Sequence, residues 1–265
     1  MSAPALEIPQ YGPWSARALR DRVRAEARKT FSTAAWWALL LPAALCSLAI
    51  GAISAKDGRL AHSQAIALGS FGVIFAALFG VVCATAEYRH HTVTTSYLGA
   101  ANRPTLTVAK LVFAALVGGG YALVCAALSI LGMVLRGRHV AAELPSVLLV
   151  TAGAVLVLAL WAVLGVGFGT WVGNQVFGVL VILLYLLLVE PILAVLAKLA
   201  DLHSYITYLP SGSSLAALDG LTGGEQFGGR FGIASPWWLM LLVFAGYTAV
   251  ITLVGTGAAQ RRDIT

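Results

Sequence analysis

One acidic residue, Glu190, stands inside an otherwise apolar run and is followed directly by Pro191. An ionisable group in hydrocarbon is costly, and its default reading is functional. A carboxyl there can hold a polar head, pass a proton or line a break in a helix. A proton relay needs a second ionisable group at depth, and the apolar runs offer none. Two placements remain open from the residues. Either Glu190 sits within the fifth apolar run toward its outer end, or the helix stops there. In the second case Pro191 opens a re-entrant helix and leaves Glu190 at a protein-lined break.

The densest polar cluster between apolar runs is Glu87-Tyr88-Arg89-His90-His91-Thr92-Val93-Thr94-Thr95. A histidine pair suggests a metal, but adjacent residues on a helix point in different directions. No third ligand stands at a clear spacing, so no metal site is expected. Cys46, Cys83 and Cys125 each lie in an apolar run and read as small packing residues. Nucleotide hydrolysis is excluded in its usual form: there is no G-x-x-x-x-G-K-[ST], and no Gly-Lys dipeptide at all. H-E-x-x-H is absent, and the apolar runs hold no Ser/His or paired-Asp constellation. Those absences weigh against an intramembrane enzyme. Gly165-Val166-Gly167-Phe168-Gly169 lies in an apolar run and follows no soluble strand. Gly165, Gly169 and Gly173 therefore read as a double G-x-x-x-G packing ridge, with Gly118–Gly120 in the preceding run.

The elements that carry these residues follow from composition. Of 265 residues, 59% are hydrophobic and 11% charged, against about a quarter charged in a soluble domain. Too few charges are present to cover a water-soluble surface, and the hydrophobicity excludes disorder. A bilayer core needs about 20 apolar residues per helix. Six runs qualify, at 36–54, 65–86, 106–133, 146–172, 175–197 and 237–258. Pro42 interrupts the first, which neighbouring helices can accommodate. Gly173, Asn174 and Gln175 form the tight turn that keeps the fourth and fifth apart. The reading is an all-α integral membrane protein with six transmembrane helices in one domain. Residues 1–35 form a cytoplasmic tail without a cleavable signal, 36–258 the spans and 259–265 a short second tail.

The charges set orientation. With both termini inside, the cytoplasmic segments hold Arg17, Arg20, Arg22, Arg24, Arg28, Lys29, Arg89, Arg103, Lys110, Arg261 and Arg262. The outer side holds Lys56, Arg59, Arg136, Arg138, Lys198 and Arg230. Eleven against six favours termini in the cytoplasm. The same bias accounts for the +6 net charge without nucleic acid. Trp36–Trp37 and Trp237–Trp238 open spans, where aromatic rings favour the headgroup region.

Residues 15–33 read as an amphipathic helix before the first span. Ala16, Leu19, Val23 and Ala27 recur at spacings of three and four. Around them stand Arg17, Arg20, Arg22, Arg24, Arg28 and Lys29, against Asp21 and Glu26. Attraction to anionic headgroups suffices to make this an anchor. A docking surface for a cytoplasmic partner is the sharper alternative.

Six spans, a basic helix before the first, and the E-Y-R-H-H-T … R-P … A-K segment together resemble the membrane subunit of type-2 ABC exporters, in a half-size bacterial form. That family shows an acidic-x-Arg-x-Gly-Thr turn, a Pro/Arg element and an Ala-Lys opening the third span. Glu87, Arg89, Thr92, Arg103, Pro104, Ala109 and Lys110 fill those places, with His91 where Gly is usual and the Pro/Arg order altered.

The resemblance implies a cytoplasmic coupling helix between the second and third spans, seated on an ATPase subunit through Glu87, Tyr88, Arg89, Thr92, Arg103, Pro104 and Lys110. It shifts residues 15–33 from anchor alone to anchor plus docking, through Arg17, Arg20, Arg24, Arg28 and Lys29. It makes the loop from Leu199 to Pro236 an outer re-entrant element between helices 5 and 6, with Leu209-Pro210-Ser211-Gly212 and Gly223-Gly224 as its breaks. The implied function is a permease in the cell inner membrane that exports a hydrophobic or amphipathic cargo. It holds no cofactor of its own; ATP and magnesium sit on the partner ATPase. Its partners are ABC ATPase subunits, a second permease chain and membrane lipids. An intramembrane enzyme and a non-transporting sensor or scaffold are the alternatives.

Overall fold

A computed structural model describes residues 16–54, 65, 68–89, 103–137, 143–200, 202–222 and 236–261. Helices make up nearly all of these residues, and no strand occurs among them. The amphipathic segment forms α1 (Ala16–Phe31) and the first apolar run forms α2 (Ala35–Ser54). A π-helical turn, Leu68–Gly72, leads into α3 (Val73–Arg89). Then come α4 (Arg103–Leu135) and α5 (Leu144–Val172). The fifth run is α6 (Gln175–Leu184), a second π turn at Tyr185–Val189, and α7 (Glu190–Leu199). A 3-10 segment, His203–Tyr208, precedes α8 (Pro210–Gly220), and α9 (Trp237–Arg261) ends the described chain.

Five helical stretches are long and apolar enough to cross a bilayer: Ala35–Ile53, Thr105–Leu135, Leu144–Val172, Gln175–Leu199 and Trp237–Ala259. Their surfaces carry Leu180, Leu187, Leu188, Val195, Leu196, Val250 and Leu253 in the open. A contiguous apolar exterior of that kind suits lipid and not water. The protein is an all-α, multi-pass membrane protein. The run expected at 65–86 differs from the other five. Its regular α-helical apolar part is only Val73–Ala86, and the residues before it are wound as the π turn.

Helix α5 is the hub, packing against α3, α4 and α9. Small residues permit this. A Cβ on Gly165 would strike the Ala77 carbonyl of α3, and one on Gly80 the Ala162 carbonyl of α5. Gly118 of α4 meets the Leu158 carbonyl of α5 in the same way, and Gly167 and Gly255 bring α5 onto α9. Where burial from water supplies no drive between helices, such backbone approach supplies dispersion contacts instead. Gly165 and Gly169 thus act in packing as expected. Gly173 does not share that ridge. It adopts φ 69° and caps α5, its N–H donating to the Gly169 carbonyl. Asn174 then caps α6 by accepting from the Phe177 N–H at 3.1 Å. The turn is two residues, since Gln175 already belongs to α6.

Pro42 lies inside α2 without ending it. At the other end of α2, Arg136 Nε donates to the Ala52 carbonyl at 3.2 Å, satisfying one of the orphan acceptors of a helix terminus.

Candidate functional site

Two polar constellations stand out in this apolar frame. The first joins α1 to the helices that flank residues 90–102. Helix α1 lies mainly on α4, with Val23 and Ala27 packed against the core, as the apolar stripe predicts. Glu26 sits on that same stripe, three residues after Val23, and is 3% exposed. Its carboxylate lies 3.6 Å from Lys110 Nζ of α4 and accepts from Lys29 Nζ at 3.2 Å. Lys110, 7% exposed, also donates to the Cys83 carbonyl of α3 at 3.3 Å. A single buried ammonium therefore ties α1, α3 and α4 together. A buried pair of this kind fixes geometry more than it adds net stability.

This geometry changes the reading of two residues. Lys110 was expected among the coupling residues and Lys29 among the docking cations. Lys110 points inward and spends its charge on Glu26 and a backbone carbonyl, so it offers no charge to a partner outside. Lys29, half exposed, shares the same carboxylate. Arg17, Arg20, Arg24 and Arg28 are exposed along the rest of α1. The backbone of Glu87–Arg89 ends α3 and that of Arg103–Pro104 opens α4. The side chains of Glu87, Tyr88, Arg89, Arg103 and Pro104, and the whole of Thr92, His90 and His91, lie outside the described residues. Among the described residues no group of three His, Cys, Asp or Glu is placed to hold a metal.

The second constellation surrounds Glu190. The fifth run neither stays regular nor stops there. It crosses a π turn, in which the Glu190 N–H donates to the Tyr185 carbonyl five residues back. Pro191 has no N–H to give, and its ring crowds the preceding turn, so the local helix widens. Widening stacks Tyr185 over Glu190, and the Tyr185 hydroxyl donates to Glu190 Oε1 at 3.0 Å. The backbone N–H of Ser211, in the first turn of α8, donates to the same oxygen at 3.0 Å. Glu190 is 5% exposed. The carboxyl thus pins α8 to the break in the fifth run, while Trp161 Nε1 of α5 donates to Ser214 Oγ at 3.2 Å on its far side.

Sequence reasoning found Glu190 but neither of its partners, nor Glu26. The signal for Glu26 was present, because an acid on an apolar stripe demands a buried cation.

No known protein-family model matches the chain, and no curated protein matches it.

Proposed function

We propose that the chain is the permease subunit of a type-2 ABC exporter, with six spans and both termini in the cytoplasm. In this reading the sixth span is the π turn Leu68–Gly72 continued through α3, whose last residues are Glu87–Arg89. The observation that carries the reading is the Glu26–Lys110–Cys83 clasp. It binds the basic amphipathic helix to both helices that border the polar loop. A push on that loop then moves α1, α3 and α4 as one body, which is what mechanical coupling to a separate motor requires.

In this reading a cytoplasmic ATPase supplies ATP and magnesium chemistry, and the loop carrying Glu87, Tyr88, Arg89, Thr92, Arg103 and Pro104 receives its stroke. Arg17, Arg20, Arg24 and Arg28 face the partner and the anionic headgroups. Helix α8 with its 3-10 approach is the outer re-entrant element, and two permease chains enclose the path of a hydrophobic or amphipathic cargo. The chain itself performs no covalent chemistry, and it resides in the cell inner membrane.

The test is affinity purification of the full-length chain from its native membrane. A stoichiometric polypeptide carrying a G-x-x-x-x-G-K-[ST] loop in the eluate, lost on joint Glu87→Arg and Arg89→Glu substitution, supports the reading. A folded chain that brings down no such polypeptide overturns it.

A further inference from the structure

We propose that the cavity beside Glu190 is a binding site for a hydrophobic amine, whose protonated nitrogen is held by Glu190 Oε2 and Thr207 Oγ1. The site concerns ligand binding by this chain and stands whether or not an ATPase drives it.

The cavity has a volume of about 390 Å³, within the range of pockets that take small organic ligands. Both π-helical turns border it: Phe71 comes from Leu68–Gly72, and Leu186 and Leu187 come from Tyr185–Val189. Single π turns are rare and occur most often at functional sites. Two of them border this one cavity.

Chemistry inside the cavity is uneven. Its walls are aliphatic and aromatic, and among the described residues no Lys, Arg or His lines it. Two polar atoms in its lining residues are nevertheless buried without a partner among the described residues: Glu190 Oε2 and Thr207 Oγ1. Thr207 is 3% exposed. Burying such atoms unpaired is costly, more so when the group is charged. The Glu190 carboxyl is held in place through its other oxygen, so Oε2 is pre-oriented. Carboxylate and hydroxyl oxygens together accept from an N–H head, and an ammonium supplies several donors at once.

Entry is from the apolar side. Phe71, Leu187 and Pro191 line the cavity and are exposed, on the surface that faces lipid in a multi-pass protein. A ligand that dissolves in the bilayer and carries one cationic head fits both the walls and the doorway.

The experiment compares 4-phenylbutylamine with its neutral counterpart 4-phenylbutanol, by calorimetry on the full-length protein in nanodiscs, with empty nanodiscs subtracted. The expected result is saturable binding of the amine about tenfold tighter than the alcohol, the scale of a hydrogen bond to a charged group. Glu190→Gln keeps an oxygen to accept from Tyr185 and Ser211, so it preserves the fold while removing the charge. It should abolish the preference for the amine. Ala194→Phe fills the cavity from its wall while keeping the Glu190 carboxyl, and in a protein that melts like the parent it should block both probes. Equal binding of amine and alcohol, an unchanged preference in Glu190→Gln, or no saturable binding overturns the proposal. Undiminished binding to Ala194→Phe overturns it as well.

Discussion

The Glu26 carboxylate of α1 lies 3.6 Å from the Lys110 ammonium, linking α1 to the N-terminal part of α4. Both side chains are almost fully removed from solvent. Removing one partner leaves the other charged and buried, which costs more than removing both. Lys110→Met should therefore destabilise the protein by roughly 3 kcal/mol, and Glu26→Gln with Lys110→Met by less. Thermal unfolding of the single and double variants in detergent checks the order. A double variant less stable than Lys110→Met alone contradicts the clasp.

The close approach of α3 and α5 rests on glycine. A methyl on Gly165 meets the Ala77 backbone carbonyl, whereas one on Gly120 meets nothing within 4 Å. Gly165→Ala should destabilise the protein by about 1–3 kcal/mol, as the helices are forced apart. Gly120→Ala should be neutral or stabilising by about 0.5 kcal/mol, since alanine favours the helix interior. The two variants measured side by side separate backbone packing from helix propensity.

Gly173 holds φ at 69°, where a Cβ is strained. Gly173→Ala should cost about 1–2 kcal/mol, and Asn174→Ala about 1 kcal/mol through the lost cap on α6. Because each acts on the same two-residue turn, the double variant should fall short of their sum. Unfolding free energies of the three variants test this.

Pro191 explains why Tyr185 and Glu190 meet at a spacing of five. In Pro191→Ala the restored N–H allows an ordinary α-turn, which rotates Glu190 away from Tyr185. The span should then gain helical stability while 4-phenylbutylamine binding weakens several-fold. Stability and binding moving in the same direction would show that the π turn does not position the carboxyl.

How much of this was legible in the sequence depends on the kind of contact. Hydropathy located five of the spans within a few residues, because length and apolarity are all that lipid demands. The run at 65–86 is not among those five, its regular apolar helix being Val73–Ala86, and the π winding of Leu68–Gly72 was not legible, since nothing local distinguishes it from an ordinary turn. Glu26 was passed over because an acid in a basic helix looks solvated. Its place beside Val23 and Ala27 was the overlooked signal, and Lys110 needed tertiary structure to be found. Glu190 was legible as an anomaly. Its partners were not: residues five apart share a face only in a π-helix, and Ser211 arrives from α8, a separate element. The coupling residues Glu87, Tyr88, Arg89, Thr92, Arg103 and Pro104 remain a reading of sequence.

Those residues carry the central claim, that force reaches this chain from a separate ATPase through the polar loop. The most direct measurement is ATP hydrolysis by proteoliposomes prepared from the affinity-purified full-length chain and whatever it carries. The account predicts magnesium-dependent hydrolysis that co-purifies with the chain and disappears when Glu87→Arg and Arg89→Glu are combined. Hydrolysis that persists undiminished in that variant, or none at all from the folded wild-type preparation, would contradict it.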